Sequence, residues 1–149
     1  MAPSAFNEVS FAATLMVRDT CLCLAVQRAA RKLARVFDEA LQPLDLTNGQ
    51  FSLLMSLNRP LPPPMGPVAE LLAMDRTTLT AMLKPLQRRG LVRVTVDPAD
   101  RRGRRLALTP AGRKLLARAL PVWKRHHRKL EKVLKAPDIL RADLAILAR

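Results

Sequence analysis

At 149 residues, 49% of them apolar, the chain is sized for one domain with a real core. Its net charge of +14 (26 Lys and Arg against 12 Asp and Glu) must sit on the surface and draw polyanions, and with no Tyr, one Trp and four Phe it has few rings to stack on bases, which favours duplex DNA over RNA or single strands. Two Cys are too few for a disulfide scaffold, and the mildly apolar stretch 9–17 is too short to cross a bilayer and follows no basic segment, so a cytoplasmic protein without a membrane partner is expected.

Residues 1–18 are loosely patterned and read as an arm, flexible or packed on a partner. Asp19 or Thr20 is the expected cap of the next helix. That helix places Leu22, Val26, Ala29, Leu33, Phe37 and Ala40 at three- and four-residue steps and ends at Pro43. Thr47 to Gln50 spells a capping box and opens a short helix through Leu57. Four prolines in 59–64 make a loop. Gly66-Pro67 restarts a helix with proline in its first position. Asp75 caps the following helix, which stops at Gly90 and contains Pro85. Leu91–Val96 alternates apolar and polar residues as a strand does, 97–105 is an arginine-rich turn, and Leu106–Leu108 is the returning strand. Thr109-Pro110 caps a long helix to about Lys135, and a last helix starts near Pro137. The order is four helices, a β-hairpin and two helices. This is a mainly α protein with a small hairpin wing: a winged helix-turn-helix, 45–110, flanked by helical regions at 19–43 and 110–149.

The chemistry concentrates in the centre of the chain. A helix start exposes unpaired N–H groups and partial positive charge to phosphates. Arg76, Thr77, Thr78 and Thr80 occupy such a start, with Lys84 and Arg88 further along. Threonine brings a hydroxyl and a methyl that packs on thymine, and arginine reads guanine or grips phosphate. Between Arg76 and Arg105, nine basic residues stand against Asp97 and Asp100 alone, a net of +7. Arg101, Arg102 and Arg104 crowd the turn of the hairpin, where a narrow, negative minor groove favours an inserted arginine.

Asp75-Arg-Thr-Thr-Leu-Thr80, Arg88-Arg-Gly-Leu-Val92, 97–102 and Leu106-Ala-Leu-Thr109 together resemble the MarR (multiple antibiotic resistance regulator) family. The family's wing pattern is matched by Asp100, Arg102, Leu106, Leu108 and Thr109. The resemblance runs from about Cys23 to the end and treats 1–149 as a single domain of that type. It implies a dimeric transcriptional regulator, acting as a repressor on double-stranded DNA with an inverted repeat. It also implies that Asp100 holds Arg102 by an ion pair. The first helix and the last two would form the homodimer, with Leu22, Leu116, Leu120, Leu130, Leu134, Leu140, Leu144 and Leu147 as candidates for the seam. A small aromatic or oxidant effector would bind between the dimer helices and the DNA-binding lobe and release the DNA.

The stretch Cys23 to Arg31 is similar to that around the reactive cysteine of OhrR, the organic-peroxide branch of the family. That similarity implies a thiol-based peroxide-sensing repressor using Cys23, with Cys21 beside it. Departures are the absence of Tyr and of a second cysteine near the C-terminus. A buried, inert thiol is the other reading of Cys23. No metal site and no cofactor are expected, because His126 and His127 are adjacent and point apart. Nothing in the pattern supports an enzyme: it lacks a glycine-rich phosphate loop and a nucleophile elbow. A non-specific, nucleoid-type DNA binder driven by charge alone stays open beside the regulator.

Overall fold

The computed structural model describes residues 8–149. Contacts divide the chain into two compact units, one ending at Arg35 and one beginning at Val36.

The first unit gives most of the expected arm a regular structure. Residues 1–7 lie outside the described part, but Phe11–Thr20 is a helix, α1, whose Ser10 hydroxyl accepts the Ala13 N–H at 3.2 Å. No residue of α1 is buried, and Phe11, Met16 and Val17 are all exposed, so no apolar stripe announces it. Asp19 and Thr20 do not cap the following helix. Asp19 takes both arms of the Arg18 guanidinium (2.6 and 2.9 Å), and the Thr20 hydroxyl donates back to the Met16 carbonyl at 2.7 Å. Both therefore finish α1, and the Cys21 sulfur meets the Leu24 N–H at 3.4 Å as α2 (Leu22–Leu41) begins.

In the second unit, the helices follow local caps. The Pro43 stop becomes a single 3-10 turn, Gln42–Leu44, closed by Asp45 in the left-handed region (φ 54°). α3 (Asn48–Leu57) has both halves of the Thr47–Gln50 capping box, each at 3.1 Å. Asp38 adds a further acceptor for the Asn48 N–H at 2.6 Å. α4 (Met65–Leu71) starts two residues earlier than the Gly66-Pro67 reading, which puts Pro67 third in the helix rather than first. A proline is free to sit there because none of the first helical N–H groups has an acceptor. α5 (Arg76–Arg88) runs through Pro85 and ends before Gly90, whose φ of +70° is the left-handed turn.

β1 (Val92–Val96) and β2 (Arg104–Leu108) pair antiparallel, Val92 opposite Leu108 and Val96 opposite Arg104. The returning strand is thus two residues longer than its apolar part. The prolines at 62–64 contribute as acceptors: the Leu106 N–H donates to the Pro63 carbonyl at 2.9 Å, and Pro64 forms a bridge with Arg105. The 59–64 loop therefore covers the outer edge of the hairpin without needing the N–H groups that proline lacks.

α6 (Pro110–Glu131) is capped by Thr109, and α7 (Pro137–Leu147) follows. The core fills the space among α3, α4, α5, the hairpin and the first half of α6. Leu53, Leu54, Leu79, Leu86 and Leu106 are fully buried at its centre. Leu116, an expected member of the dimer seam, is also in this core at 5% exposure, so it has no surface to offer a partner. Leu134, Leu140, Leu144 and Leu147 remain exposed. Among the described residues, no helix is long and apolar enough to cross a membrane.

Candidate nucleic-acid interface

α4 and α5 are joined by a tight turn whose geometry is set by backbone bonds. The Ala73 N–H donates to Glu70 at 3.0 Å and the Met74 N–H to Ala69 at 2.9 Å. Ala73 holds φ 51° there, a conformation that usually attracts glycine, which is why the turn has no obvious punctuation in the sequence. Asp75 then caps α5, its carboxylate accepting the Thr78 N–H at 2.6 Å. That bond, more than any other contact, holds the Asp75 carboxyl below its ordinary range and keeps the cap charged.

Leu79, Leu83 and Leu86 turn into the core, so the opposite face of α5 must turn outward. Arg76, Thr77, Thr80 and Lys84 come together there around a shallow concavity of about 300 Å³. Arg88 continues along the exposed side, and Thr78 is also exposed. The Thr80 hydroxyl already donates to the Arg76 carbonyl at 2.7 Å, which leaves its lone pairs and methyl for an outside partner.

The wing is braced differently from the expected Asp100–Arg102 ion pair. Asp100 accepts the backbone N–H of Arg102 at 3.0 Å, a local turn bond that orients the loop and leaves the guanidinium out of it. The ion pair is between Arg105 and Asp97, at 3.0 Å across the base of the turn. Asp97 is buried at 8% exposure and also accepts the Ala99 N–H at 2.9 Å. Arg105 reaches further, to the Pro62 carbonyl at 3.2 Å, and so ties the proline loop to the wing. Gly103 closes the turn, where an added Cβ would crowd Asp97 and the Asp100 carbonyl at 3.2 and 3.3 Å. Arg101, Arg102 and Arg104 are left exposed. Arg104 folds back on the Arg101 and Gly103 carbonyls (3.2 and 3.0 Å), while the guanidinium groups of Arg101 and Arg102 have no partner among the described residues.

The Asp97–Arg105 brace is not legible in local sequence because the two residues are eight apart and meet only through strand register. The signal was a second acidic residue in an arginine-rich turn. Of the cysteines, Cys23 lies exposed in the first turn of α2, with the Gln27 side-chain amide 3.1 Å from its sulfur, and Cys21 is half-buried just before it. Neither matches the buried-thiol reading. No group of three or more His, Cys, Asp or Glu gathers among the described residues.

A capped helix exposing arginine and threonine, set behind a bonded turn and followed by an arginine-tipped hairpin, defines a winged helix-turn-helix protein. The chain belongs to the MarR family, whose model matches residues 46–103. It is 31% identical over 110 residues to the multiple antibiotic resistance protein MarR of Escherichia coli K12, a match covering 73% of this chain and 76% of that one. It is 36% identical over 78 residues to the transcriptional regulator HosA of E. coli O111:H-, covering 52% of this chain and 58% of HosA. Among solved structures, the transcriptional regulator MosR of M. tuberculosis in complex with DNA superposes with a TM-score of 0.79 at 37% identity, covering 86% of this chain and 93% of MosR.

Because the Asp97 carboxylate is stabilised first by the Ala99 N–H and then by Arg105, its pKa is lowered on folding. Its contribution to wing order is then fully present above the unfolded value of about 3.9 and is lost as pH falls through the lower, folded value. The amide resonance of Ala99 should titrate with a midpoint below 3.9 in the intact protein and lose that step in Asp97→Asn. A midpoint at or above the ordinary value would contradict this brace.

Proposed function

We propose that this chain is a cytoplasmic, dimeric transcriptional regulator that binds double-stranded DNA and represses until a small effector releases it. The observation that carries the reading is the pairing of the exposed Arg76–Lys84 face with unpartnered wing arginines, the one capped by Asp75 and the other braced by the Asp97–Arg105 ion pair. The DNA bound by the MosR relative supports the same use of this fold. In this reading Arg76, Thr77, Thr78, Thr80, Lys84 and Arg88 enter the major groove. Arg101, Arg102 and Arg104 grip the backbone and minor groove beside it, and Asp100 shapes the turn that presents Arg102. The apolar residues left exposed on α7 pair with a second copy, and two-fold symmetry sets two such lobes on an inverted repeat.

The regulator should prefer its own promoter to random duplex in competition. Arg102→Ala should weaken binding to both and flatten the salt dependence by about one phosphate, and Thr77→Ala should cost about 1–3 kcal/mol on the cognate site alone. Equal affinity for all sequences would leave the non-specific nucleoid-type reading in its place.

The effector site in this reading is an apolar cavity of about 390 Å³ beside α6. It is lined by Phe51, Met55, Leu72, Leu120 and Trp123, with Ser52 and Ser56 as polar anchors. Its aromatic wall suits a small aromatic ligand. Trp123 is the only tryptophan of the chain, so an effector titrated into the protein should change its fluorescence in step with release of DNA. DNA release without any change at Trp123 would move the site elsewhere.

The exposure of Cys23 favours a second reading, with an organic hydroperoxide as effector. The thiolate sulfur would take the terminal peroxide oxygen, giving a sulfenic acid and the alcohol. Hydroperoxide should then lower DNA affinity in the parent and not in Cys23→Ser; undiminished binding by the treated parent rejects it.

A further inference from the structure

α6 buries one face and charges the other. Gly112, Leu115, Leu116 and Ala119 pack into the core. On the outer side Lys114, Arg118, Arg125, Lys129 and Lys132 recur at steps of four, seven, four and three residues, which places them along one line of the helix. Lys124 and Arg128 widen the line into a band. At 1.5 Å per residue the line is about 27 Å long. Every one of these side chains is exposed, and none has a hydrogen-bond or ion-pair partner among the described residues. The one acidic residue of α6, Glu131, is already held by Arg141 at 2.8 Å, so it does not neutralise the band. The band belongs to a different helix from the DNA-reading face: α6 packs on α3 and β2, whereas α5 packs on α4 and β1.

The chemistry of the band selects its partner. A helix lying on a membrane must insert an apolar face, and that face of α6 is buried in the core. A protein partner needs apolar anchors at the centre of its interface, and the band offers only cations and small residues. RNA and single strands need rings to stack on, and no aromatic side chain lies in the band. The same face of a second copy would bring like charges together. A regular row of phosphates needs nothing beyond spaced, unpaired cations. We propose that the outer face of α6 is a second, sequence-independent binding surface for duplex DNA, so that one molecule can hold a segment other than the one read by α5 and the wing.

The test uses the full chain and the variant Arg118→Gln, Arg125→Gln, Lys129→Gln, Lys132→Gln, all exposed positions where glutamine keeps helix propensity. Thermal melts confirm that the variant folds. Two readouts are taken: the salt dependence of binding to random-sequence duplex, and capture of a labelled random duplex by protein already bound to an immobilised one. The parent should capture the second duplex. The variant should lose capture, bind random duplex about tenfold or more weakly near 0.1 M salt, and show a slope shallower by roughly 3. Unchanged slope and capture in the variant overturn the proposal, as does binding of anionic vesicles that depends on the band when duplex binding does not. If the parent shows no promoter preference but capture still depends on the band, the regulator reading fails and this surface stands.

Discussion

The joint between α5, the hairpin and α6 fixes everything that can be presented to DNA. Gly90 turns the chain out of α5 in the left-handed region, and the Thr109 hydroxyl donates to its carbonyl at 2.6 Å. The Thr109 N–H donates to the Leu91 carbonyl at 3.1 Å, and its side-chain oxygen also accepts the Gly112 N–H at 3.0 Å to cap α6. Gly112 has to be glycine for this, since a Cβ would lie 2.2 Å from the Leu91 oxygen. Four elements therefore share one threonine and two glycines. The relation of wing to helix is set in the fold, so little ordering entropy is left for the binding step.

Electrostatics then divide into two populations. Asp75 and Asp97 are consumed by backbone N–H groups and, for Asp97, by Arg105, and both are held below the usual carboxylate range. They stay ionised and shape the interface, and the surrounding cations outnumber them. The exposed cations of α5 and the wing tip remain largely unpaired, and so do those along α6. The protein's attraction for a polyanion comes from its surplus of cations, a net charge of +14.

What could be read from the sequence was local. The Thr47 capping box, the Asp75 cap, the Gly90 stop and the Thr109-Pro110 start each involve residues within four positions, and their hydrogen bonds sit where the residue types demand. What escaped depended on residues far apart or on missing periodicity. α1 has no apolar stripe because it buries nothing in this chain. β2 begins at Arg104 because strand pairing with Val96, and not hydrophobicity, decides it. Asp97 outcompetes Asp100 for an arginine because register brings Arg105 across the turn. Leu116 looked available for a partner by spacing, yet the rotation of α6 turns it inward. For the interface, the exposed face of α5 followed from its buried leucines, whereas the proline loop's role as a cover for the hairpin edge depends on bonds between residues 43 apart in the chain.

Hydroxyl-radical footprinting on the promoter of the chain's own gene is the most direct test of two lobes gripping one duplex. Two lobes on one duplex should protect two blocks centred about one helical turn apart and related by a dyad, with the outer minor-groove part of each block lost in Arg102→Ala. A single block, or uniform protection that ignores the variant, would contradict it.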